Sequence, residues 1–274
     1  MAVSQKMNNS KLLSVIVPAY KQEQTIEEDL KNIDRVLAEG LKGSKYEIIC
    51  VVDGILDTTY QRAKRVKSPR IKVLAYENNQ GKGYAVRYGF AHSKGDVVSF
   101  LDAGMDISPK GMMMLMAHME WYNADIVVGS KRHPVSKVNY PFIRHVLSIG
   151  YHALAKVLFG LYLTDTQSGI KVFRRKVVQV ILPRLLVKRY AMDIEMLAVA
   201  NHLGYKRIYE APIEVKFNKK TSAISWKTAI DMAIDTLAVF YRLRILRYYE
   251  DKNRDHWIVD PKLKILLARS PGAS

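Results

Sequence analysis

Cysteine is nearly absent from the sequence: Cys50 is the single one among 274 residues. It can form no internal disulfide, which favours a reducing compartment. It sits in an apolar run with no base beside it, so an inert buried thiol is expected. Also missing is any stretch of about 18 uncharged apolar residues, so no spanning helix is expected. The nearest candidate, residues 146–163, is interrupted by His152 and Lys156 and has an amphipathic pattern. Residues 1–10 are polar and lack the apolar centre of a secretion signal. There is no internal repeat, low-complexity tract or clear linker. Acidic residues are in deficit, 26 against 43 Lys and Arg, for a net charge of +17. Such a balance implies anionic partners: nucleic acid, an acidic membrane face or phosphorylated small molecules. Part of the charge is clustered, in residues 64–72 and at Arg242, Arg244 and Arg247. No nucleic-acid-binding motif and no aromatic–basic interleaving is present, so nucleic acid is set aside as a partner.

What is there alternates. Apolar, β-branched runs at 12–17, 46–52, 71–76 and 97–101 predict buried strands. Between them, helical patterns run to residue 37 from a cap at Thr25, then over 58–66 and 82–92. This order predicts an α/β fold with right-handed crossovers and a mostly parallel sheet. Ligands bind such sheets beyond the carboxyl ends of the strands. The acid-bearing loops 18–23, 53–57 and 102–106 all fall there. Further on, a methionine-rich helix is expected at 112–121, for core packing. A short strand is expected at 124–129, one long helix within 183–203, and an edge strand at 206–215, where Pro212 cannot donate to a ladder. The division expected is a domain over 1–217 and an amphipathic helical appendage over 218–274. In the appendage Ile230, Ala233, Ile234, Leu237, Phe240 and Tyr241 recur at helical spacing. Such a stripe fits a membrane interface or the domain's own core, and the pattern leaves both open.

The densest chemistry lies in residues 78–106. A glycine-punctuated turn, Gly81-Lys82-Gly83, opens a helix, and an apolar strand then ends at Asp102, with Asp106 nearby. The turn is neither a P-loop nor a dinucleotide fingerprint, because the spacing of each is missing. A helix start can still offer N–H groups to a phosphate. Cleaving a sugar from a nucleoside diphosphate requires charge compensation by a divalent cation or by Lys and Arg. Mg²⁺ and Mn²⁺ take oxygen ligands, so Asp102 and then Asp106 are the metal candidates.

Several motifs together resemble the family 2 glycosyltransferases of GT-A fold, a Rossmann-like mixed sheet, and closely those that load sugars onto polyprenyl phosphates. They are Ser14-Val-Ile-Val-Pro-Ala-Tyr20, Asn79-x-Gly81-Lys-Gly83-x-Ala85-Val-Arg87-x-Gly89, Gly95-Asp96 with Phe100-Leu-Asp102-Ala, Asp165-Thr-Gln-Ser-Gly169-x-Lys171-x-Phe173, and Asp193-x-Glu195. They span roughly residues 12–217. The resemblance implies an activated sugar donor, inversion, and a lipid-phosphate acceptor such as dolichyl or undecaprenyl phosphate. It implies a peripheral place on the cytoplasmic face of an anionic membrane, and UDP-glucose or another UDP-sugar over GDP-mannose. It places the donor against Pro18, Tyr20, Glu23, Asp53, Gly81, Lys82 and Ala103, with the metal on Asp102 and Asp106. It places the acceptor phosphate among Lys131, Arg132, Arg144, Ser148, Gln167 and Ser168. Asp102, Asp193, Arg132 and Arg144 would carry catalysis. A phosphate is ionised at neutral pH, so it attacks without a strong base; it needs positioning and cations. The chain departs from the family on the donor side. Lys21-Gln22 replaces Asn-Glu, Val52-Asp53 replaces paired acids, and Gly104 stands where Asp-x-Asp has its second acid. Two other readings remain: the same fold acting on a glycan or protein hydroxyl, with Asp193 or Glu195 as base, and a binding protein with an eroded donor site.

Overall fold

The computed structural model describes residues 11–41, 43–133, 136, 142–189, 191–215, 226–251, 257–260, 263 and 265–267; the side chains of 142–149, 152, 226–229, 258 and 265–267 lie outside that description. Seven strands form one sheet: β1 (Leu12–Ala19), β2 (Lys45–Asp53), β3 (Ile71–Tyr76), β4 (Val97–Leu101), β5 (Ile126–Ser130), β6 (Ile170–Arg174) and β7 (Ile208–Pro212). Their spatial order is β3-β2-β1-β4-β6-β5-β7. All neighbours pair in parallel except across β6, which runs antiparallel to both β4 and β5. The expected mixed, mostly parallel sheet is therefore present, with β7 at its edge. β6 is a strand that the sequence pattern did not predict.

Successive side chains on a strand point to opposite faces. Ile16, Ile49, Val51, Val98, Phe100, Ile126 and Val128 accordingly share one core, and Val15, Val17, Ile48, Cys50, Val97, Leu101 and Val127 the other. Both faces are covered, which is why these strands read as unbroken apolar runs. On the second face lie α1 (Ile26–Gly40) and α4 (Gly111–Trp121), the latter burying Met112, Met116 and Met119 as expected. The first face carries α3 (Lys82–His92), α5 (Phe142–Phe159), α6 (Arg175–Ile181) and α7 (Met192–His202). The short α2 (Thr59–Arg65) follows β2, and a small hairpin, β8 (Ile258–Asp260) with β9 (Ile265–Leu267), lies near the end of the chain.

One expected helix is broken. Residues 183–203 hold a 3₁₀ turn, Leu182–Arg184, then a non-helical stretch, then α7. The stretch is drawn out of helix by partners elsewhere, described below. Helix α8 (Trp226–Phe240) runs into a π-helical turn, Tyr241–Ile245. Its inward face is Thr236, Val239 and Leu243, and Tyr248 and Tyr249 follow them into the first core. Of the apolar stripe read from the sequence, Phe240 packs against this core but most of the rest does not. Ile230, Ile234, Leu237 and Tyr241 are 57, 59, 51 and 52% exposed. No helix among the described residues is long and apolar enough to cross a membrane.

Candidate active site

The carboxyl ends of β1, β2 and β4 open onto a cavity of about 510 Å³, lined by Pro18, Ala19, Tyr20, Gln22, Asp53, Asn79, Gly81, Lys82, Asp102, Ala103, Gln167, Arg189 and Asp193. Its size suits a ligand of nucleotide-sugar dimensions. Of the residues the sequence singled out, Pro18, Tyr20, Asp53, Gly81, Lys82, Asp102, Ala103, Gln167 and Asp193 are thus brought together. Glu23 is not among them: its carboxylate accepts from the Thr58 amide and hydroxyl at 3.2 and 2.7 Å, and its neighbour Gln22 faces the cavity instead.

Asp53 is a wall of the cavity but a satisfied one. Its oxygens accept from the Tyr76 hydroxyl (2.8 Å), Asn79 Nδ2 (2.7 Å), and the Gln80 and Gly81 amides (2.8 and 3.0 Å). It therefore ties the end of β2 to the turn before α3. The Gly-Lys-Gly turn is equally committed. The Gly83 amide donates to the Lys188 carbonyl at 2.8 Å. A Cβ at Gly81 would come within 2.4 Å of that carbonyl, and one at Gly83 within 2.5 Å of the Val187 carbonyl. The glycines permit backbone-to-backbone packing, and the amides of Gly81 and Gly83 are spent inside the protein. What the turn delivers to the cavity is the Lys82 ammonium.

That ammonium sits 2.7 Å from Oδ1 and 2.8 Å from Oδ2 of Asp102. Burial alone would lower the Lys82 pKa, but Asp102 and Asp193 outweigh it and hold the group protonated. Asp102 is seated by the antiparallel β6. Its amide donates to the Gly169 carbonyl at 3.0 Å, and its carboxylate lies over the Gly169 Cα, where a Cβ would meet Oδ2 at 2.3 Å. A second lysine also lies against the Phe100 ring. Lys171 is fully buried and donates to Asp193 and to the Ser168 carbonyl at 2.7 Å. Burial pulls its pKa down, and the Asp193 charge resists. The Lys82 and Lys171 ammonium groups stand 5.5 and 5.2 Å from the Phe100 ring centre, a cation–π arrangement. Sequence reading missed Lys171 as a buried partner of Asp193. It also missed Arg189, which enters the cavity from the loop before α7.

Glu195, weighed as a base, is fully buried and accepts from the Leu186 and Val187 amides and the Tyr249 hydroxyl. It is no part of the cavity, and its oxygens are occupied. The acceptor-side residues lie around the ends of β5 and β6. The Lys131 amide donates to Asp165 at 3.1 Å, and Arg132 reaches the Thr164 carbonyl at 3.5 Å. Gln167 donates to the Tyr151 hydroxyl at 3.0 Å, which in turn meets Thr236 of α8 at 2.9 Å. Ser168 is buried, and its hydroxyl has no hydrogen-bond partner among the described residues. Arg144 and Ser148 stand four residues apart on α5, with side chains outside the described residues.

For a divalent ion the chain offers Asp102 and, half-buried beside it in charge, Asp106. Burial raises the Asp106 pKa, the Lys131 charge opposes this, and the Asp102 charge adds to it. No cluster of three or more His, Cys, Asp or Glu side chains fit for a metal occurs among the described residues. Asp102 Oδ1 is buried with no formed hydrogen bond among the described residues, but the Lys82 ammonium lies 2.7 Å from it, so an ion on this oxygen would have to displace that ammonium. A hard ion held by one or two carboxylates, with substrate phosphates and water completing its shell, fits this set.

Comparison with known proteins agrees with this architecture. The model of the Glycosyl transferase family 2 matches residues 14–182. A dolichyl-phosphate beta-glucosyltransferase of Dictyostelium discoideum is 30% identical over 244 residues, 84% of this chain and 74% of its own. That of Saccharomyces cerevisiae is 32% identical over 262 residues, 86% and 76% of the two chains. Among solved structures, glucosyl-3-phosphoglycerate synthase from Mycobacterium tuberculosis, in complex with Mn²⁺, uridine-diphosphate and phosphoglyceric acid, matches with a TM-score of 0.64 at 20% identity, covering 85% of this chain and 78% of its own. That likeness is one of fold, the GT-A arrangement. With the family model spanning both the glycine turn and the Asp102 strand, the chain belongs to glycosyl transferase family 2 and is a glycosyltransferase.

Proposed function

We propose that the protein transfers glucose from UDP-glucose to a polyprenyl phosphate, with inversion, on the cytoplasmic face of a membrane. The observation that carries this reading is Asp102 facing Lys82 at the mouth of a cavity of about 510 Å³. The dolichyl-phosphate relatives supply the acceptor class. A phosphate oxygen of the acceptor attacks the anomeric carbon. The bond from that carbon to the diphosphate oxygen breaks, and UDP departs with the electron pair. No proton need be removed from the acceptor, which agrees with an Asp193 already tied to Lys171 and a Glu195 sealed in the core.

The leaving diphosphate needs cations in place beforehand. Lys82 and Arg189 line the cavity for that task, and Asp102 with Asp106 would hold Mg²⁺ or Mn²⁺, which supplies Lewis-acid charge when bound. Lys131, Arg132, Arg144 and Ser148 would gather the acceptor phosphate, with Gln167 and Ser168 at the boundary between the two substrates. The exposed stripe Ile230, Ile234, Leu237 and Tyr241, followed by Arg242, Arg244 and Arg247, supports a helix lying in an anionic membrane surface near the acceptor.

Incubation with Mn²⁺, UDP-glucose and a polyprenyl phosphate should yield a glucolipid, and Asp102→Asn should abolish it. No product with UDP- or GDP-sugars would overturn the reading. Arg144→Ala separates acceptor classes: transfer to a phosphate should collapse, whereas transfer to a hydroxyl acceptor would persist.

A further inference from the structure

The wall of the cavity opposite Asp102 is not self-supporting. Residues 186–189 between the 3₁₀ turn and α7 have no helix or strand of their own. They are held at two points. From below, Glu195 accepts the Leu186 amide at 3.1 Å and the Val187 amide at 2.9 Å. From the side, the Lys188 carbonyl takes the Gly83 amide at 2.8 Å, and the Lys188 ammonium reaches Gln80 at 3.3 Å. This short stretch therefore sets where Arg189 enters the cavity and where the Lys82 turn is seated.

Glu195 itself is held from the other end of the chain. Tyr249, with no exposed surface, donates its hydroxyl to Glu195 at 2.8 Å. The Tyr249 carbonyl is gripped by Arg184 Nε at 2.8 Å, at the start of the same loop. Tyr249 follows directly on α8 and the π-helical turn, whose outer side is the open apolar stripe. We propose that Tyr249 and Glu195 are positioning residues of the donor site, so that the segment after α8 completes the nucleotide-binding wall as well as serving the membrane face. A buried carboxylate oriented by three donors is a rigid support. Removing the tyrosine hydroxyl leaves Glu195 Oε1 with the Leu186 amide alone, its shorter bond lost. The proposal rests on the donor reading above.

Tyr249→Phe tests it on the full chain, with Tyr46→Phe as control. Tyr46 also loses buried hydroxyl bonds, to Asp34 at 2.7 and 3.0 Å, but at the amino end of β2, away from the cavity. Calorimetry with UDP and Mn²⁺ should show about fivefold weaker binding for Tyr249→Phe and wild-type binding for Tyr46→Phe. The donor KM should rise in proportion while the acceptor KM stays unchanged. Hydrogen exchange of the 186–187 amides should speed up in Tyr249→Phe alone. Should Tyr249→Phe not fold, Glu195→Gln, which keeps the shape, is expected to shift the same readouts. Wild-type UDP affinity in the variants, with only melting temperature lowered, overturns the proposal. Absence of UDP binding by the wild type would instead fell the donor reading itself, and this proposal with it.

Discussion

Gly169→Ala should inactivate the enzyme while leaving it folded. The antiparallel pairing of β4 with β6 sets Leu101 opposite Ile170, so Asp102 falls beside Gly169. An added methyl would stand 2.3 Å from Asp102 Oδ2, 2.7 Å from Cγ and 3.2 Å from Cβ. Non-bonded heavy atoms settle near about 3.5 Å, so the carboxylate must retreat by roughly 1 Å. It has somewhere to go, because its side chain is 38% exposed toward the cavity. The strain is thus relieved by moving the carboxylate that the proposed function assigns to the metal. The backbone at Gly169 is not in the left-handed region, so alanine itself is tolerated there. A misplacement of about 1 Å at a reacting centre costs on the order of 100-fold in rate, or about 2.7 kcal/mol of transition-state stabilisation. Initial rates of glucolipid formation, beside a thermal melt, make the measurement. A loss of about two decades in kcat/KM with a melting temperature within a few degrees is expected. A variant keeping activity within threefold would refute the claim that Gly169 exists to seat Asp102, and a collapse of the melt would show that overpacking cannot be relieved by the carboxylate alone.

The Lys82–Asp102 pair gives a second expectation: Lys82→Met should bind Mn²⁺ alone more tightly and UDP with Mn²⁺ more weakly, read by Mn²⁺ electron paramagnetic resonance. Unit charges 2.7 Å apart attract by about 1.5 kcal/mol even at the dielectric constant of water, roughly a tenfold gain in metal affinity; Lys131→Met, removing an equal charge nearby, should gain less. Ile234→Glu with Leu237→Glu should cut flotation with anionic vesicles at least about tenfold without lowering the melting temperature, because both side chains are more than half exposed. Asp125 tests acid stability. Burial would raise its pKa, but hydrogen bonds from Arg207 and Lys176 outweigh this and hold it below the usual carboxylate range. Its folded pKa thus lies under its unfolded one, so its contribution is complete above about pH 4 and fades as pH falls through the folded value. Asp125→Asn should cost about 2 kcal/mol at pH 7 and progressively less toward pH 3, by denaturant unfolding.

The sheet was legible where burial on both faces leaves its mark as unbroken apolar runs, as in β1, β2 and β4. It was illegible at β6. There a lysine interrupts the run, and Lys171 makes sense in a core only once Asp193, far along the chain, is seen to meet it. The helix expected within 183–203 is present only as α7, and its first part is lost for a related reason. Its local pattern is helical, but the Leu186 and Val187 amides are better satisfied by Glu195 and the Lys188 carbonyl by Gly83, so tertiary hydrogen bonds override propensity. Arg189 was hidden in the same way, as one charge in a basic stretch. The clue lay in Gly81 and Gly83, since a pair of glycines flanking a lysine asks what backbone approaches them. For α8 the period was readable but the direction was not. A stripe of apolar residues fits a core and a lipid surface equally well, and only the burial of Thr236, Val239 and Leu243 shows which face the protein keeps.

The cavity holds its charges in pairs. Lys82 faces Asp102 and Lys171 faces Asp193, with both ammonium groups near the Phe100 ring. The pairs differ in what they can do. The inner one is sealed, its lysine fully buried and also bound to the Ser168 carbonyl, so separating it would strand a charge in the core at a cost of several kcal/mol. The outer one is open to the cavity, with each partner more than a third exposed. Under the proposed function, Asp102 would be the residue to hold a divalent cation and Lys82 the one to meet the diphosphate, so this exposed pair would part at less cost than the buried one. In the proposed reading, donor binding would therefore rearrange the outer pair alone, with Asp193 kept in place by its buried contact with Lys171.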